Sequence, residues 1–184
     1  LGRDLTVKDL RPLLQFREQD PRILYADIAL CYLGMPGSPK DPIAVLDELK
    51  ALDPDGMEWF AFGLGPVFAQ AFPGDVPAML ESLETYPKEW RAPFAEAIGY
   101  IGTGWRADQA SFLAEARTCV HTAELEAYSR GMGARIVRIF ELYPFGLELV
   151  MRPDRVGEYI RTFPEPMVNA MLVGAEEERE RNRL

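Results

Sequence analysis

The stretch Phe94-Ala95-Glu96-Ala97-Ile98-Gly99-Tyr100-Ile101-Gly102 decides how this chain is read. It is a short apolar segment that follows Pro87 and carries glycines at 99 and 102. A near copy stands upstream as Tyr25-Ala26-Asp27-Ile28-Ala29-Leu30-Cys31-Tyr32-Leu33-Gly34. Looser copies are Phe60-Ala61-Phe62-Gly63-Leu64-Gly65 and Tyr128-Ser129-Arg130-Gly131-Met132-Gly133.

Outward from these phrases the spacing is regular. Leu13, Leu46, Leu80 and Leu113 are separated by 33, 34 and 33 residues, and Phe16, Leu49, Leu83 and Ala116 keep the same steps. Pro21, Pro54 and Pro87 fall 33 apart. A period near 33 residues with helical apolar spacing inside it is the signature of a helical repeat. One helix pair cannot bury its own apolar face, so neighbouring pairs must stack and share a core. Glycines 65, 99 and 133 then mark where second helices approach one another closely.

The expectation is an all-α curved α-solenoid of about five antiparallel helix pairs. These form one domain over residues 1–184, with pairs at about 9–34, 41–72, 75–103, 108–140 and 154–180. An insertion at about 141–153 breaks the period. Asp-Pro at 20–21, 41–42 and 53–54 each opens a helix, the acid capping and the proline filling the first turn. Asp75 and Asp154 are read as caps, and Pro87 and Pro164-Glu165-Pro166 as openers. β-branched residues in 135–142 introduce a weak strand signal. The charged run from Glu176 to Arg183 reads as a solvated end that closes the array.

Hydrophobic residues make up 48% and charged residues 27% of 184, which fits a folded globular chain. The net charge of −9 argues against nucleic acid, whose binders displace counterions with a positive surface, and against anionic membranes. No apolar run approaches the roughly 18 residues of a bilayer span, and no signal-peptide pattern is present. Cys31 and Cys119 read as small core residues in a reducing compartment, so the expected location is cytoplasmic.

The run Tyr86-Pro87-Lys88-Glu89-Trp90-Arg91 followed by Phe94 to Gly102 resembles HEAT-type repeats, especially the short variety of the bilin-lyase group. The resemblance covers roughly residues 9 to 134. A fainter likeness is to an uncharacterised domain associated with enediyne polyketide gene clusters. The tetratricopeptide pattern of Trp, Leu-Gly and Tyr is absent from 42–52 and 76–86. The HEAT resemblance implies stacked helix pairs that bind other molecules, and it transfers no catalytic residue.

Candidate chemistry is sparse. His121, the lone histidine, has Cys119 and Glu124 near it in sequence but no CxxC or HxxxH partner, so no metal site is expected. Gly102-Thr103-Gly104 and Gly131-Met132-Gly133 lack the strand–loop–helix setting and Lys-Ser/Thr of a phosphate loop. No catalytic residue and no cofactor are assigned. If Phe60/Leu64, Phe94/Ile98 and Tyr128/Met132 point into the core, the other side of each second helix presents Glu58, Phe62, Glu96, Glu126 and Arg130, with Tyr100 nearby. That is a mixed acidic and aromatic groove on the concave face; a simply solvated face is the other reading. The expected function is a non-enzymatic binding or scaffold module that holds a protein or peptide partner there. The alternative is a small-molecule-binding or enzymatic accessory protein with a pocket between second helices, in a biosynthetic pathway.

Overall fold

The computed structural model describes residues 42–62, 74–102, 109–142 and 152–183. Among these residues the chain is all-α, with no strand. The helices are α1 (Pro42–Leu52), α2 (57–62), α3 (Val76–Ser82), α4 (Lys88–Ile101), α5 (Gln109–Cys119), α6 (Leu125–Val137), α7 (Pro153–Ile160) and α8 (Glu165–Arg181). The pair expected at 9–34, together with Cys31, Leu64, Gly65 and most of the insertion at 141–153, lies outside the described residues.

Local chemistry sets the helix ends. The Asp75 carboxylate accepts the Ala78 N–H at 3.1 Å, which satisfies one of the free amides of the first turn of α3. Asp53 caps as expected, accepting from Asp55 N at 3.2 Å, but what it opens is a 3₁₀ turn, Pro54–Gly56, that leads into α2. Pro87 sits one residue before α4 and not inside it. Asp154 does not cap α7: Arg152 takes the cap position, and Asp154 lies in the first turn beside the helix-starting Pro153. There its carboxylate still favours the positive end of the helix dipole. α4 ends at Gly102, whose φ of 51° is a backbone state that side chains disfavour. The weak strand signal at 135–142 is overridden: α6 continues through a π-helical turn, Arg138–Leu142.

Among the described residues, the periodic leucine and alanine positions are core positions. Leu49, Leu83 and Ala116 are buried, as are Leu46 and Leu80, while Leu113 is half-buried against them. Phe60, Phe94, Ile98, Tyr128 and Met132 point into one continuous apolar cluster. Ile101, by contrast, is only half-buried. Rings of Phe112, Phe140, Tyr159 and Phe163, with successive centroids 5.8, 6.0 and 5.1 Å apart, carry the cluster on to α7. The Tyr159 hydroxyl donates to the Gln109 carbonyl at 2.7 Å and fixes α7 against the start of α5.

Glycines bring α4, α6 and α8 into a tight row. A methyl group on Gly99 would overlap the Tyr128 carbonyl of α6, and one on Gly131 would overlap the Glu96 carbonyl of α4. The next interface repeats the device: Gly133 lies against the Met171 backbone and Gly174 against that of Arg130. Each interface therefore has a glycine from both sides, and the backbones meet with no side chain between them. Gly133 faces Met171, and eight residues further along each helix Glu141 binds Arg179. Equal steps on both helices mean that α6 and α8 run in the same direction.

The end of α8 departs from the sequence reading. Glu178 is fully buried and Arg179 only partly exposed, so the charged run is not a solvated cap. Arg179 grips Glu141 with Nε at 3.0 Å and Nη2 at 2.9 Å, and Arg138 reaches Glu178 at 3.3 Å. The π-helical turn carries both Arg138 and Glu141, so the widened turn and the charged end of α8 fit each other.

Candidate functional site

The side of α4, α6 and α8 that is not committed to the core carries the candidate site. On α2, Glu58 is exposed while Trp59 and Phe62 are half-buried. The Phe62 ring meets Tyr100 of α4 edge to face, at 5.0 Å and 82°, and Trp59 tilts against Phe62 at 6.1 Å. Edge-to-face geometry places the positive ring edge on the negative face. Tyr100 is buried, and the Arg138 guanidinium lies 5.8 Å from its ring.

Charged groups flank this aromatic strip. Arg130 of α6 binds Glu177 of α8 through two parallel bonds, Nε at 3.0 Å and Nη2 at 2.6 Å. That carboxylate raises the Arg130 pKa further, so its charge is permanent. Glu96 of α4 is half-buried, and among the described residues no hydrogen bond or ion pair reaches its carboxylate. Burial pushes its pKa up, Arg130 pulls it partly back, and Glu58 adds to the rise. Arg181, in the last turn of α8, sits 5.6 Å from the centre of the Trp59 ring.

Of the six expected positions, the structure brings Glu58, Phe62, Glu96, Tyr100 and Arg130 together across three helices. Glu126 is exposed one turn before Arg130. Trp59, Glu177 and Arg181 are additions that sequence reasoning missed. The two α8 residues fall beyond the break in the period, where register could not be counted.

No family model, curated protein or solved structure matches this chain.

Two other polar groupings stand apart from this face. His121 is exposed in the connection between α5 and α6 and lines a cleft of about 260 Å³ with Arg91, Glu81, Glu84, Glu124 and Thr118. Two of the Arg91 nitrogens are engaged by the Tyr86 and Glu84 carbonyls, at 3.0 and 2.8 Å. Among the described residues, no group of three His, Cys, Asp or Glu side chains is placed to hold a metal ion, and no helix is long and apolar enough to cross a membrane.

The second grouping is inside the protein. Glu115 of α5 accepts from the Tyr128 hydroxyl at 2.8 Å and from Arg135 Nη2 at 3.0 Å. Arg135 is wholly buried, its guanidinium 4.3 Å from the Phe112 ring centre, and it passes where a side chain on Gly102 would stand. Burial, reinforced by Glu115, pushes the Tyr128 pKa well above its usual value. Burial also raises the Cys119 thiol, which keeps it protonated and unreactive.

Proposed function

We propose that this chain is a HEAT-like helical-repeat module, a curved α-solenoid, that binds a protein or peptide partner on the face formed by α2, α4, α6 and α8 without itself catalysing a reaction. The observation that carries the proposal is the convergence of Glu58, Trp59, Phe62, Glu96, Tyr100 and Arg130 on one side of a helix row whose other side is committed to the core. The 33-residue register and the parallel run of α6 and α8 support the repeat reading. A face of aromatic rings with charged neighbours has the composition of a recognition surface. Rigid backbone contacts at the glycines hold the face in place before a partner arrives, which lowers the cost of binding.

Proximity labelling in cells, comparing wild type with Phe62→Ala, tests this. Proteins labelled by the wild type and lost with Phe62→Ala are the expected result. Identical labelling by the two, with Phe62→Ala folded, means that partners dock elsewhere. The small-ligand alternative draws on the raised Glu96 carboxyl, which a pocket between second helices would also carry. Saturable one-to-one binding of a metabolite, abolished by Glu96→Gln, would favour it.

A further inference from the structure

The face contains a cation that is poorly held and carboxylates with no hydrogen bond or ion pair among the described residues, although Glu96 feels the charges of Arg130 and Arg181 from a distance. Arg181 is the poorly held cation. It is placed against Trp59, yet its ion pairs with Glu177 and Glu178 are long, at 3.9 and 3.8 Å, and both partners lie on its own helix. Arg130, by contrast, has already taken the Glu177 carboxylate at 2.6 Å. Glu58 and Glu96 have no hydrogen bond or ion pair among the described residues. Trp59 and Phe62 share α2 with Glu58, Tyr100 shares α4 with Glu96, and the rings touch in sequence, Trp59 on Phe62 and Phe62 on Tyr100. An aromatic face beside a carboxylate is the arrangement that selects a cation, and a planar guanidinium stacks on tryptophan better than an ammonium does.

We infer that this face recognises an arginine side chain of a partner protein, set between the Trp59 ring and the Glu58 and Glu96 carboxylates, and that Arg181 occupies the edge of that position until the partner arrives. The inference rests on the partner-binding reading above and adds the chemistry that the partner must present. Charge complementarity supports it: with Arg130 neutralised by Glu177, the carboxylates of Glu58, Glu96 and Glu126 outnumber the one loosely held cation, Arg181.

The test is fluorescence anisotropy with a labelled glycine–serine peptide carrying three arginines, against counterparts carrying three lysines or three norleucines. The arginine peptide is expected to bind the wild type tightest. Trp59→Ala should weaken it by about tenfold, the scale of a desolvated cation–π contact. Glu58→Gln and Glu96→Gln should each weaken it severalfold, and Arg181→Ala should tighten it. Glu81→Gln and Glu84→Gln, in the His121 cleft, should leave it unchanged and so exclude general attraction to an acidic chain. Norleucine binding as tight as arginine, or lysine equal to arginine, overturns the inference, as does arginine binding that Trp59→Ala leaves intact. The two readings fail separately. If Phe62→Ala loses labelled partners while the arginine peptide shows no preference, partner binding stands and the arginine site falls. If the peptide series behaves as expected while labelling is unaffected, the cation site stands and the protein-partner reading falls.

Discussion

Two clusters of charge differ in one respect that separates scaffold from surface. Inside the protein, both Glu115 oxygens are engaged, one by Tyr128 and one by Arg135. On the helix row, Glu96 is half-buried and Glu58 exposed, with no hydrogen bond or ion pair among the described residues, while Arg130 is already taken by Glu177. An interior carboxylate must be satisfied, because water cannot reach it. A carboxylate left open on a half-dry aromatic face keeps its capacity for something that is not part of the chain. The first cluster holds α5 to α6; the second is available.

The sharpest way to break this comparison is to open the interior cluster. Glu115→Ala strands the buried Arg135 charge and removes the acceptor of the Tyr128 hydroxyl, so it should destabilise by about 3–5 kcal/mol. Denaturant unfolding measures this directly. Pairing it with Arg135→Met removes the stranded charge and should recover most of the loss, since a buried ion pair is often replaceable by apolar groups of similar volume. A single-variant cost under about 1 kcal/mol would put the cluster in contact with water and erase its difference from the outer face.

The next effect concerns the frame beneath both clusters. Mid-helix glycine is disfavoured relative to alanine by about 1 kcal/mol, so propensity alone makes Gly99→Ala stabilising. The methyl would, however, overlap the Tyr128 carbonyl and come within 2.9 Å of the Met132 amide, and backbone on both sides cannot rotate away. Overpacking of this kind costs about 1–3 kcal/mol, which outweighs the gain. Gly99→Ala is therefore expected to lower Tm, and Gly99→Leu to lower it further. A Gly99→Leu protein melting at or above wild type would mean that α4 and α6 are not in backbone contact.

Much of this frame was readable in the sequence, for a physical reason. Core residues recur with the helical period and glycines recur where backbones touch, so Leu49, Leu83, Ala116, Gly99 and Gly133 could be placed by counting. What could not be read depended on neighbours far along the chain. The recurrence of Glu58, Phe62, Glu96 and Arg130 pointed to one face, but Glu177 and Arg181 lie past the irregular segment, where no period carries the register across. Nothing in the period marks Glu115 or Arg135 as interior, and only packing shows that they share it. The charged end of α8 misled because polarity in sequence does not reveal that Glu178 has Arg138 above it.

The smallest effect tests the open cluster on its own terms. Burial raises the Glu96 pKa, so the folded chain holds that proton to higher pH than the unfolded chain does. Between the unfolded and folded values the native state binds more protons, and stability falls as pH rises through that window. Above it the penalty of a half-buried carboxylate remains in full. Glu96→Gln removes the charge at every pH and keeps the shape, so at neutral pH it should melt higher than wild type, by on the order of 1 °C given the partial exposure of the group. Below the unfolded glutamate value of about 4.3 both side chains are neutral, and the difference should vanish. Thermal melts of the two proteins across this range decide the matter. A Glu96→Gln protein that melts lower at neutral pH would mean that the carboxylate is held by a partner within the chain, as Glu115 is, and is not left for one outside it.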